Sequence, residues 1–72
     1  MAKLKIENNI RRLRFDNNEM TQAALAEAVG VTRQTILALE ANRYSPSLEL
    51  AFKIARAFGV RLDEVFSYPE ED

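Results

Sequence analysis

Three consecutive residues, Arg33, Gln34 and Thr35, carry the most suggestive polar chemistry in the chain. A guanidinium and a carboxamide can each make paired hydrogen bonds to a base edge, with guanine and adenine respectively. The methyl of Thr35, or of Ala38 further along, can rest on a thymine methyl. What is missing narrows the choice further. The chain holds no histidine and no cysteine, which removes the commonest general base, the thiol nucleophile and the usual zinc ligands. No nucleophile–base pair and no phosphate-cradling glycine loop is visible. The chain is not expected to be an enzyme, and no cofactor or metal is expected. Glu70, Glu71 and Asp72 are adjacent carboxylates without a turn-forming loop, so a solvated tail is expected there rather than a cation site.

Charge supports an anionic partner once its distribution is considered. The net charge of the 72 residues is −1. Residues 1–61 hold all ten Lys and Arg against six acids, a balance of +4, and residues 62–72 hold the other five acids and no base. A phosphate backbone responds to the local patch rather than to the total. With no cysteine to staple it, so short a chain must rely on regular packing or on a partner subunit. The expectation is one domain over residues 1–72, ending in an acidic tail over 67–72. No apolar run approaches a membrane span and no signal-peptide pattern opens the chain, so a cytoplasmic protein without membrane contact is expected.

These side chains must be positioned by helices. The two glycines and two prolines fall where helices would start or stop. Gly30 and Gly59 each follow an apolar run, where a helix end favours a residue free to adopt positive φ. The apolar period between these marks is helical throughout, with no strand alternation. It predicts a first helix over about 6–16, with Ile6, Ile10 and Leu13 on one face. Thr21 caps a second helix through Val29, Thr32 a third to about Ala41, and Ser47 a fourth ending at Gly59. A short fifth runs from Leu62 to Phe66, its early Asp63 and Glu64 suiting the helix dipole. The fold class is all-α, a compact five-helix domain. Phe15, Phe52, Phe58 and Phe66 read as core or interface rather than as a base-stacking platform.

The segment from Thr21 to Glu40 has a particular packing grammar. Ala26 is small enough for two helices to cross closely, and Gly30 permits a tight turn. Leu25, Val29, Val31, Ile36 and Leu39 form an apolar wedge that fixes the crossing. This is a helix-turn-helix over about residues 22–41. Gln34, Leu37, Ala38 and Ala41 then lie opposite the Ile36 and Leu39 face. The helix starts at Gln22 and Thr32 offer free backbone N–H groups to phosphate.

With that register, the chain resembles the Cro/C1-type helix-turn-helix of phage repressors and the xenobiotic-response-element-like regulators of bacteria and archaea. The likeness rests on IRRLRF, Thr21 with Gln22, VTRQTI, Glu40 after Leu39, and YSPSLELAFKIARAFGVRLDEVF, and covers about residues 6–66. It implies a lambda-repressor-like fold and a DNA-binding transcriptional regulator, a repressor above all, with operator DNA as partner. It further implies a homodimer whose third helices, about 33–41, enter the major groove. By the same resemblance Gln22 meets a backbone phosphate. Arg33, Gln34, Thr35 and Ala38 face base edges or nearby phosphates, and Asn42, Arg43 and Tyr44 contact backbone beyond the groove. Arg14 and Glu40 would form a partly buried ion pair between the first and third helices. Leu50, Leu62, Val65, Phe66 and Tyr68 are the candidate dimer surface, because the last helix and tail are short and rich in aromatics.

Two features depart from that pattern. Leu37, Ala38 and Ala41 make the outward face of the third helix unusually apolar. This favours modest base discrimination with reliance on DNA shape, or else an alternative function as a protein-interaction module such as an antitoxin. The FDNNEM stretch between the first two helices is about one residue longer than in many relatives. Lys3, Lys5, Arg11 and Arg12 form a basic cluster that suits a solvated face as well as phosphate. Lys53, Arg56 and Arg61 read as solubilising surface. No effector domain fits in the chain, so a small-molecule effector is not expected to bind it.

Overall fold

The computed structural model describes residues 6–69. Lys3, Lys5 and the acidic Glu70, Glu71 and Asp72 lie outside them. The order of elements is β1 (Glu7–Asn8), α1 (Ile10–Asp16), α2 (Gln22–Val29), α3 (Arg33–Glu40), α4 (Leu48–Phe58), α5 (Leu62–Val65) and β2 (Phe66–Ser67). Five helices therefore form in the expected order, and α2 packs on both α3 and α4. The core is apolar throughout the described residues: Ile10, Leu25, Ile36 and Ile54 are fully buried, with Ala26, Val29 and Leu39 beside them.

The helix ends have local causes. The hydroxyls of Thr21, Thr32 and Ser47 accept from the backbone N–H of Ala24, Thr35 and Leu50 at 3.0, 3.2 and 3.1 Å. Each cap thereby satisfies one of the donors that a first helical turn leaves free. At the other end, Gly30 and Gly59 take φ of 77° and 71°. Val31 N–H then reaches back to the Ala26 carbonyl, and Val60 N–H to that of Ala55. Asn42 does the same after α3, with φ 59° and Arg43 N–H bonded to the Ala38 carbonyl at 3.0 Å. Asparagine is the side chain that tolerates this left-handed closure next best after glycine.

The N-terminal segment differs from the expectation. The first helix starts at Ile10, not near residue 6, because Asn8 and Asn9 interrupt it. Asn8 Oδ1 accepts from Ile10 N–H at 3.1 Å, a local bond of the kind that draws asparagine out of helix interiors. Residues Glu7 and Asn8 instead pair antiparallel with Ser67 and Phe66. The expected fifth helix accordingly loses Phe66 to this ladder. Two-residue strands are too short to show alternation, which is why periodicity misses them.

Several side chains lie elsewhere than expected. Leu50, Val65 and Phe66 are only 8%, 1% and 8% exposed and belong to the core of one chain. They have almost no surface left for a second subunit, which corrects their assignment to a dimer face. Leu62 is half-buried and Tyr68 exposed, and both line a shallow apolar groove with Ile6 and Phe66. Phe15 is 67% exposed, so it is not core, whereas Phe58 packs against the core as a half-buried residue. Phe52 is also mostly exposed, because it stands on the outer edge of the wide apolar stripe of α4.

Candidate nucleic-acid interface

The exposed side of α3 is set by its buried side. Ile36 and Leu39 point into the core at 0% and 1% exposure. The helical turn therefore carries Arg33, Gln34 and Leu37 to the surface, with Thr35 and Ala38 half-buried at its margins. Within residues 31–48 the only acid is Glu40, and its carboxylate is already occupied. No ion pair among the described residues involves Arg33 or Arg43. The face is thus cationic and hydrogen-bonding, with no carboxylate competing for its donors.

Glu40 is the hub that holds this face in place. Arg14 Nε donates to Glu40 Oε2 at 2.6 Å, and a second guanidinium nitrogen donates to Oε1 at 3.1 Å. The paired geometry fixes both distance and plane. A third guanidinium donor reaches the Met20 carbonyl at 2.8 Å, so the same arginine ties α1, the α1–α2 loop and the end of α3. The loop needs such a tie, since Asn18 and Glu19 hold φ of 65° and 56° in succession.

The nine residues expected to meet DNA fall into three neighbouring groups. Gln22 opens α2, but its side chain is half-buried and its Nε2 donates to Glu40 Oε1 at 3.1 Å. What remains free at that helix start, with the Ala24 N–H taken by the Thr21 cap, is the side-chain oxygen and the backbone N–H groups of Gln22 and Ala23. Thr32 spends its hydroxyl on the cap and on Thr35 Oγ1 at 3.1 Å, while the Arg33 and Gln34 side chains make no hydrogen bond among the described residues. Asn42 is half-buried, and its Oδ1 accepts from Asn8 Nδ2 at 3.1 Å. Arg43 and Tyr44 follow it, both exposed. Sequence reasoning does not single out Asn8, although two adjacent asparagines before an apolar run are a helix-start signal.

Comparison with known proteins gives the family of the chain. A helix-turn-helix family model matches residues 10–65, which spans α1 through α5. The chain belongs to the Cro/C1-type helix-turn-helix family. This is a family of DNA-binding transcriptional regulators and not a class of enzymes. An uncharacterized HTH-type transcriptional regulator of Methanocaldococcus jannaschii is 45% identical over 67 residues, covering 93% of this chain and all of that relative (100%). The uncharacterized regulator YgzD of Bacillus subtilis is 43% identical over the same coverage. The cryptic phage CTXphi transcriptional repressor RstR of Vibrio cholerae is 36% identical over 63 residues, 88% of this chain and 56% of RstR. A crystal structure of a candidate DNA-binding protein from Bacteroides fragilis superimposes with a TM-score of 0.74 at 26% identity, covering 86% of this chain and 98% of that one.

Proposed function

We propose that this chain is a sequence-specific transcriptional repressor that inserts α3 into the major groove of operator DNA as a homodimer. The observation that carries the proposal is the outward face of α3, where Arg33 and Gln34 are exposed with no ion pair or side-chain hydrogen bond among the described residues. Arg33 and Gln34 supply direct base contacts, and the start of α2 at Gln22 supplies N–H groups to phosphate. Thr32, Thr35 and Ala38 provide close packing at the groove, and Arg43 and Tyr44 reach backbone on its far side. The likeness to a phage repressor favours repression. No described helix is long and apolar enough to cross a membrane, in keeping with a regulator acting on cytoplasmic DNA.

Dimerisation follows from contact area. One such module buries too little surface for tight operator binding, and two copies would read half-sites about 34–36 Å apart. Of the candidate dimer residues, Leu62 and Tyr68 retain the exposure that this role requires. Arg33→Ala and Gln34→Ala are each expected to weaken binding to a duplex selected from a random pool by about 1–3 kcal/mol, with thermal stability unchanged. Parent-like binding by both variants overturns the assignment of α3. Leu37, exposed on the same helix, is the feature that suits the second reading, a protein-binding module. Binding to duplex that is weak and insensitive to salt, beside salt-insensitive capture of a protein, would favour it.

A further inference from the structure

Asn8 uses its whole side chain. Its Oδ1 accepts from Ile10 N–H at the start of α1, and its Nδ2 donates to the Leu39 carbonyl at 2.8 Å and to Asn42 Oδ1 at 3.1 Å. Both partners of Nδ2 lie at the turn that ends α3. Leu39 is in the last turn of the helix, and Asn42 is the left-handed residue that redirects the chain toward Arg43 and Tyr44. The backbone of Asn8 meanwhile pairs with Phe66 in the β1–β2 ladder. One side chain therefore joins a strand at the N-terminal end of the fold to the loop that leaves the exposed helix.

We propose that Asn8 is a positioning residue for DNA binding: it latches the α3–α4 turn so that Arg43 and Tyr44 meet the phosphate backbone. The latch rests on the DNA-binding reading above, and adds to it a residue that touches no DNA itself. Without this bond the left-handed turn rests only on the Arg43 N–H to Ala38 carbonyl closure and on asparagine's modest preference for that region. The turn would then sample other conformations, and two exposed side chains that depend on its direction would lose their alignment. Affinity and the number of neutralised phosphates should both fall, while the base contacts from Arg33 and Gln34 persist.

The test uses the full chain and a duplex selected from a random pool with the parent protein. Asn8→Ser keeps a short hydroxyl near Ile10 N–H but lacks the reach to Leu39 and Asn42. Asn42→Gly keeps the left-handed turn available and removes the Oδ1 acceptor. Each is expected to bind about tenfold more weakly, and the slope of log K against log salt should shallow by about 0.9 for each phosphate that is no longer neutralised. The double variant should bind no worse than the weaker single one, because both changes remove the same bond. A merely structural role would lower the melting temperature and leave the slope alone in protein kept well below its transition. An Asn8→Ser protein that is folded and binds with parental affinity and slope overturns the latch. Should the parent itself fail to bind duplex DNA, both the latch and the function are overturned, so the two failures are told apart.

Discussion

Replacing Arg14 with methionine isolates what the bridge between α1 and α3 contributes. The Arg14 and Glu40 side chains are 15% and 11% exposed, so neither charge is well served by water. In Arg14→Met the Glu40 carboxylate keeps the Gln22 amide and loses two charge-assisted bonds, and the Met20 carbonyl loses its donor. Breaking a fully buried pair on one side costs about 3–5 kcal/mol, because the surviving charge stays buried. The residual exposure here lets water enter, which lowers the expected loss to roughly 2–4 kcal/mol. A domain of this length has a total stability of only about 4–11 kcal/mol. Urea unfolding followed by circular dichroism should register the loss, and thermal melts should show a fall of roughly 8–32 °C in melting temperature. Glu40→Gln should cost less, since its amide oxygen can still accept from Arg14 or Gln22. Arg14→Met combined with Glu40→Leu should also be milder than Arg14→Met alone, because no charge is stranded. A loss under about 0.5 kcal/mol for Arg14→Met, in the range of ordinary exposed pairs, would refute the reasoning.

Two further changes test the backbone. Glu19→Gly should stabilise the chain by about 0.5–1 kcal/mol, because Glu19 holds φ 56° and glycine adopts that region without steric cost; chemical denaturation midpoints check the sign. Gly30→Ala should cost about 1–2 kcal/mol and Gly30→Asn distinctly less, since a Cβ at Gly30 would meet no atom within 4 Å and only the φ of +77° is at stake. Equal losses for the two in thermal melts would mean that something other than backbone strain sets the cost.

The helical framework is legible in the sequence because the boundaries of α2, α3 and α4 carry local chemical causes. Thr21, Thr32 and Ser47 are side chains that can cap a first turn, and Gly30 and Gly59 are the residues that tolerate a left-handed close. The apolar wedge of Leu25, Ile36 and Leu39 then fixes which face of α3 stays outside. What escapes sequence reasoning depends on pairings remote along the chain. The β1–β2 ladder joins Asn8 near one end of the chain to Phe66 near the other, and nothing in a two-residue strand announces its partner. From sequence Phe66 reads as core or interface and is assigned to a dimer face because the fifth helix is short, yet it pairs in the ladder and lies in the core of one chain. The family resemblance makes Gln22 a phosphate ligand, and its helix start is visible in the sequence, whereas the nearness of Glu40 is not. The adjacent asparagines 8 and 9 are the signal that could place the start of α1 correctly.

Base preference measured after substitution at Gln34 tests the central claim most directly. Duplexes selected from a random pool by the parent and by Gln34→Ala should differ at one position in each half-site, where the variant relaxes its preference while the remaining positions hold. Identical preferences at every position, in a variant that still folds and binds, would contradict a recognition role for the outward face of α3.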